Sequence, residues 1–271
     1  MAKPNEKEPE KVLIEPVEEE AVQTIKITAD VGRWKPKTEL GRKVKSREYT
    51  DIDQVLDSGK PILEPEIVDM LLPDMETDLL MIGQSKGKFG GGSRRVFRQT
   101  QKKTKEGNKP KFSTYSVIGN KDGYVGLGFG KAKETVPARE KALRKSKLNI
   151  MKISRGCGSW QCSCKTPHSI PFAVSGKCSS VIVELRPAPK GTGLKAEKEV
   201  AKILRLAGIK DVWSRSRGQT RNKINVIEAV IKALHSLSST KIQQKHIDNL
   251  AIRGGKLPVQ DAPKAVESNT A

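Results

Sequence analysis

Four thiols and three imidazoles are the side chains of this sequence best suited to metal or nucleophilic chemistry. Cys157, Cys162, Cys164 and Cys178 fall within "RGCGSWQCSCKTPHSIPFAVSGKC", spaced C-x4-C-x-C-x13-C. If a β-hairpin returns the fourth cysteine to the first three, the four thiolates form a closed tetrahedral site for one structural zinc. The C-x-C bite is tighter than the usual C-x2-C, so four reduced, half-buried thiols stand as the alternative. A disulfide ranks third in a reducing compartment. Clustering in one window also sets this chain apart from small secreted domains, whose cysteines are spread as staples. His168 follows Thr166-Pro167 in a predicted loop, His235 sits late in a predicted helix and His246 lies in the tail. No nucleophile, base and orienting group fall together, so the chain is expected to be no enzyme and to take no small-molecule substrate.

A second candidate is "YVGLGFGKAKE", Tyr124 to Glu134, which has the look of a glycine-rich phosphate cradle. A phosphate-binding loop needs glycine where Val125 stands and a hydroxyl where Ala132 follows Lys131. A dinucleotide fingerprint fails as well, since Lys131 occupies its third glycine position. As a strand, the segment points Val125, Leu127 and Phe129 to one face and Gly126, Gly128 and Gly130 to the other. A bare backbone face admits close approach, and we expect Gly126 and Gly128 to face a sugar-phosphate backbone. The alternative is that these glycines relieve twist or form a bulge.

The stretch "QSKGKFGGGSRRVFRQTQKKTKEGNKPKF" adds cations to this picture. Lys86, Lys88, Arg94, Arg95 and Arg98 flank a loop containing Gly90, Gly91 and Gly92, and Lys102, Lys103, Lys105, Lys109 and Lys111 crowd the hairpin that follows. Ten basic residues and one acid between Gly83 and Phe112 point to nucleic acid. With Lys131 and Lys133 after the glycine strand, we take Lys86, Lys88, Gly90 to Gly92, Arg94, Arg95, Arg98, Lys102, Lys103, Gly126, Gly128, Lys131 and Lys133 as candidate RNA contacts.

The whole chain agrees with a polyanionic partner. Its 271 residues carry a formal charge of +20, with a pI near 9.8 and only 4% aromatic residues. Few aromatics disfavour a reader that stacks single-stranded bases. The N-terminus lacks the apolar core of a signal peptide, and no stretch approaches a membrane span, so a cytoplasmic protein without membrane partners is expected.

The elements that must position these residues divide the chain by charge and periodicity. Residues 1–74 are acid-rich and are expected to form an extended arm with short helices, one starting at Thr50, where "TDID" resembles a capping box. Residues 75–151 read as strands "LLMIGQ", "RRVFRQT", "KFSTYSVIGN" and "GYVGLGFG", then a helix whose stripe of Val136, Ala142, Leu143 and Ile150 covers one face of the sheet. Residues 152–240 read as strands "IPFAV" and "SSVIVEL" and two helices. Val200, Ile203, Leu204 and Ala207 mark the first, capped by Gly208; Ile227, Val230, Ile231 and Leu234 mark the second. Residues 241–271 are expected to be a partly disordered tail. The fold class is α+β, in two units.

The ordered set "GGGSRRVF", "FSTYSVIGNKDGYVGLGFGKAKE", "KTPHSIPF", "PAPKGTGL", "LRLAGIKDVWSRSRG" and "NVIEAVIKAL" resembles the family of the universal fifth protein of the small ribosomal subunit. The cysteine segment and acidic arm are similar to its archaeal branch. The resemblance covers about residues 75 to 240. It implies an N-terminal fold like a double-stranded-RNA-binding domain, an antiparallel sheet plus helix, and a C-terminal α+β sandwich of left-handed βαβ type. It implies small-subunit rRNA as partner, a place near the messenger entry path against the fourth and eighth small-subunit proteins, and an influence on decoding accuracy. The loop of Pro187, Lys190, Gly191, Thr192 and Gly193 would lie near the fourth protein, and the loop from Gly87 to Arg95 would reach rRNA. Related bacterial proteins have a shorter cysteine-free loop that keeps the Pro-His pair, which sets His168 aside as a preferred ligand. An RNA minor groove is read by shape, phosphate and 2′-OH contacts, for which lysine, arginine and backbone suffice. Composition alone leaves open a free-standing RNA- or DNA-binding regulator with the cysteines as a small zinc module.

Overall fold

The structure is a computed structural model that describes residues 34–85 and 94–256. The candidate contacts Lys86, Lys88, Gly90, Gly91 and Gly92 lie outside the described residues, as do 1–33 and 257–271. In chain order the elements are α1 (Glu39–Lys45), α2 (Ile52–Asp57), α3 (Glu66–Leu71), β1 (Glu76–Leu80), β2 (Arg98–Thr104), β3 (Gly107–Gly119), β4 (Tyr124–Ala132), α4 (Thr135–Leu148), β5 (Ile150–Lys152) and β6 (Ser154–Arg155). There follow β7 (Val174–Cys178), β8 (Val181–Pro187), β9 (Leu194–Lys195), α5 (Lys198–Leu206), β10 (Val212–Arg217), α6 (Lys223–Ser239), α7 (Gln244–Asn249) and β11 (Arg253–Gly254). An antiparallel sheet in the order β1-β3-β4-β5, with β2 also on β3, carries α4. A second sheet in the order β7-β8-β10-β9 carries α5 and α6, and β9-α5-β10 is a parallel βαβ unit. The chain is thus an α+β fold of two units.

The glycines of β4 face the chain's own helix. A Cβ on Gly126 would come within 2.2 Å of the Ser146 carbonyl oxygen, on Gly128 within 2.1 Å of that of Ala142, and on Gly130 within 2.0 Å of that of Ala138. Ala138, Ala142 and Ser146 recur every four residues along α4 and are buried, so the helix lies almost on the strand backbone. This corrects two expectations. Gly126 and Gly128 are not open to a partner, because α4 covers them. The stripe of α4 is made of small residues, with Val136 exposed and Ile150 beyond the helix in β5. Ser116 of β3, opposite Gly128, meets Ser146 at 3.1 Å between hydroxyls. The second unit repeats the device: a Cβ on Gly176 of β7 would lie 2.0 Å from the Ala229 carbonyl of α6.

The other face of the first sheet, with Leu80, Tyr115, Val117 and Val125, joins Ile203, Leu204, Ile227, Val230 and Leu234 in one apolar cluster. The two units therefore share a core. Polar links fix their register: the Lys121 amide donates to the Leu206 carbonyl (2.9 Å), the Met81 amide to Glu199 (2.8 Å) and the Tyr115 hydroxyl to Glu228 (2.6 Å).

The acidic arm, where described, is folded and not extended. Leu40, Val44, Ile52, Val55, Ile62, Ile67 and Val68 form a core of their own against Tyr124 and Ile150. Its acids meet the bases of the first unit: Asp69 pairs with Lys147 and Asp53 with Lys152, each at 2.7 Å. Asp53 also accepts from the Tyr124 hydroxyl, so it does not close a capping box; α2 begins at Ile52 behind Asp51, which makes no side-chain cap. Toward the other end, β11 pairs with β6, and the Gly255 carbonyl accepts from the buried Arg155 guanidinium at 2.9 Å.

Candidate nucleic-acid interface and metal-ligand cluster

β3 runs for 13 residues, but β4 pairs only with its part from Phe112 to Gly119, so from Gly107 to Lys111 it has only β2 beside it. The result is a two-stranded ribbon, exposed on both faces, that runs out past the shared core. Residues directly opposite in an antiparallel pair share a face. The register places Arg98 opposite Ser113, Thr100 opposite Lys111 and Lys102 opposite Lys109, and it places Lys131 of β4 opposite Ser113. Arg98, Lys102, Lys109, Lys111 and Lys131 therefore line one face, all exposed. Glu106 in the turn reaches Lys109 at 3.6 Å, an exposed contact worth little against four further cations. Like charges directly opposite, as at Lys102 and Lys109, destabilise a ribbon in isolation.

The remaining candidates distribute around this face. Lys103 is exposed on the other side of the ribbon, and Lys133 is exposed just after β4. Arg95 is exposed, whereas Arg94 is half-buried and donates to the Gly83 carbonyl at 3.4 Å. Arg94 and Arg95 precede β2 and do not lie in a strand. The sequence placed Lys109 and Lys111 in the hairpin without assigning them to its charged face; only strand register reveals that they complete it.

The cysteines resolve into three plus one. The ligand atoms of Cys157, Cys162, Cys164 and His168 all lie within 4.8 Å of one another. Cys164 and Cys157 sulfurs are 3.6 Å apart, and Cys162 sulfur is 3.8 Å from His168 Nε2. Cys178 is not among them: it ends β7 and donates to Glu228 Oε2 at 3.1 Å. This corrects the four-cysteine set, because the β7–β8 hairpin directs Cys178 to α6 and not back to the loop. His168 takes the fourth position, and its other ring nitrogen, Nδ1, meets Asp211 Oδ2 at 2.7 Å, both residues being buried.

Local donors polarise the sulfurs. The Lys190 amide, then that of Cys164, lowers the Cys162 thiol from its ordinary value. Burial works against ionisation of Cys164, but the Thr166 hydroxyl and amide outweigh it and bring that thiol down to about 7. Burial pushes Cys157 up to about 12. Sequence reasoning set His168 aside as a ligand and missed Asp211, which lies 43 residues from its histidine partner.

The loop after β8 is fastened to the same place. Pro187 closes β8 opposite Val212; Thr192 caps the Pro189 carbonyl with its hydroxyl at 2.9 Å; Gly191 and Gly193 have φ of +90° and +72°, which glycine adopts freely. The Gly193 amide donates to Asp211 Oδ1 at 2.8 Å. Lys190 is exposed at the tip.

Residues 96–154 match the model of the ribosomal protein S5 N-terminal domain, and residues 176–246 that of its C-terminal domain. A small ribosomal subunit protein uS5 from Nanoarchaeum equitans is 50% identical over 79% of this chain and 92% of its own length. This chain belongs to the ribosomal protein S5 family. Similar relatives of the same name occur in Methanocaldococcus jannaschii, 46% identical over 84% of this chain and 98% of theirs, and in Methanosphaera stadtmanae, 46% identical over 82% and 92%. The chain is of the archaeal type, and the family is structural and not enzymatic. Among the described residues no helix is long and apolar enough to cross a membrane.

Proposed function

We propose that this chain is a structural constituent of the cytoplasmic small ribosomal subunit and holds small-subunit rRNA with the β2–β3 ribbon. The observation that carries the reading is the exposed face of Arg98, Lys102, Lys109, Lys111 and Lys131, where Lys102 and Lys109 oppose each other directly across the strands. A polyanion relieves that repulsion, and a ribbon with no exposed large apolar side chain fits phosphate and 2′-OH contact better than base stacking. Arg94 and Arg95, which precede β2, extend this RNA surface, with Lys103 and Lys133 at its margins; Lys86, Lys88 and Gly90 to Gly92, outside the described residues, are proposed as further RNA contacts. The relatives' names, which place them in the small subunit, support this assignment.

On the same reading, the chain supports subunit assembly and decoding accuracy near the messenger entry path. The loop of Pro187, Lys190, Gly191, Thr192 and Gly193 meets the fourth small-subunit protein, and the eighth is a second neighbour. Full-length tagged chain should co-sediment with small subunits through a high-salt cushion, since shape-matched docking outlasts the screening of phosphate contacts. Complete release at high salt, with rebinding to unrelated duplexes, would instead favour a free-standing nucleic-acid regulator.

A further inference from the structure

The geometry points to a structural zinc site made by Cys157, Cys162, Cys164 and His168, with Asp211 tying that site to the Pro187–Gly193 loop. This inference stands on the cluster alone and does not depend on the RNA reading. A tetrahedral zinc with sulfur at about 2.3 Å and nitrogen at about 2.0 Å has edges of roughly 3.4 to 3.8 Å. The Cys164–Cys157 and Cys162–His168 separations, 3.6 and 3.8 Å, are edges of that size. Three sulfurs and an imidazole are a soft donor set that suits zinc and not magnesium or calcium. Four protein ligands close the coordination sphere, so the metal would hold chain together and not activate water.

The surroundings are those a zinc ligand set needs. His168 turns Nε2 to the sulfurs because Nδ1 is engaged by Asp211, the carboxylate–histidine arrangement that fixes tautomer and ring orientation. The sulfur of Cys164 also meets the Thr166 hydroxyl at 3.0 Å, which helps hold the cysteine loop in place. Cys178, engaged with Glu228, serves a different part of the fold.

Three segments distant in sequence meet here. The cysteine loop supplies the thiols; the Lys210 and Asp211 amides donate to the His168 carbonyl at 2.9 and 3.2 Å; and Asp211 Oδ1 receives the Gly193 amide. One carboxylate thus holds the metal's histidine with one oxygen and the loop after β8 with the other. Metal binding would stiffen Pro187–Gly193 and also the cysteine loop, whose Trp160 is 89% exposed.

Elemental analysis of the purified full chain should find one zinc per molecule, and cobalt substitution should give the intense visible bands and sulfur-to-cobalt charge transfer of a tetrahedral thiolate site. Cys162→Ser and His168→Ala should each lose the metal, Cys178→Ser should keep it, and Asp211→Asn should weaken affinity about 10- to 100-fold. Zinc removal by a chelator should speed proteolytic cleavage in both loops. The cobalt spectrum of the unaltered chain guards against variants that fail to fold. Absence of both zinc and a tetrahedral cobalt spectrum, or full zinc in Cys162→Ser, would overturn the site. Zinc lost in Cys178→Ser but kept in His168→Ala would overturn this ligand set. Unchanged affinity in Asp211→Asn, or chelation without effect on Pro187–Gly193, would overturn the link to the loop.

Discussion

Replacing Gly128 with valine is expected to unfold the first unit rather than to weaken a contact with RNA. The new Cβ would lie 2.1 Å from the Ala142 carbonyl oxygen and 2.3 Å from the Ser146 amide nitrogen, both backbone atoms of α4. A flexible side chain could swing away from such a clash; a helix backbone cannot. Relief requires lifting α4, which strips contacts from Ala138, Ala142 and Ser146 and breaks the buried Ser116–Ser146 hydrogen bond. Ordinary overpacking costs about 1 to 3 kcal/mol, and a clash with two backbone atoms should exceed it, at about 4 kcal/mol or more. The denaturant midpoint of the full chain measures this. Gly59→Ala, at a φ of +66° with open space around it, should cost only about 1 to 2 kcal/mol. A near-native midpoint for Gly128→Val, together with lost RNA affinity, would return this glycine to a partner-facing role.

Changing Arg98, Lys102, Lys109 and Lys111 together to alanine should leave the fold intact and remove much of the affinity for small-subunit rRNA. All four side chains are exposed on the ribbon, away from the shared core, so stability should change little. Relief of the Lys102–Lys109 repulsion works in the stabilising direction. If each cation neutralises one phosphate, log affinity should fall less steeply with log salt, the slope flattening by roughly 3 in total at about 0.7 to 0.9 per contact. Titration of an rRNA fragment across a salt series reads both quantities. An unchanged slope would mean that these side chains touch no phosphate.

The difference between these two experiments shows what was legible in the sequence. Alternation put Val125, Leu127 and Phe129 on the core side of β4 correctly, but it cannot say what covers the opposite face. The missing signal was present in α4: Ala138, Ala142 and Ser146 are small residues four apart, a match for Gly130, Gly128 and Gly126. A search for large apolar residues passed over Ala138 and Ser146 and kept Ala142 only beside Val136, which is exposed. In α5 and α6 the apolar positions are large, and there the helical periodicity located the buried faces, with Gly208 at a positive φ just past α5. β10 was missed because "VWSRSR" is mostly polar; it gains its place by pairing with β8 on one side and β9 on the other. The acidity of the arm suggested a solvated chain, whereas Asp53 and Asp69 are neutralised by lysines far along the sequence.

The candidate sites follow the same logic. The spacing of Cys157, Cys162 and Cys164 marked three members of the cluster, since they are local in the chain. The fourth depended on where β7 points, which no spacing encodes, and Asp211 reaches His168 only through the packing of the second sheet. The cationic hairpin was plain in composition, but which cations act together is a matter of strand register.

The most direct test of the central claim is cross-linking of native small subunits containing this chain, followed by mass spectrometric mapping of the peptides joined to rRNA. The ribbon should dominate, with adducts on Lys102, Lys109 and Lys111 and at its base on Lys131. A ribbon free of RNA adducts, with cross-links confined to other parts of the chain, would contradict the account.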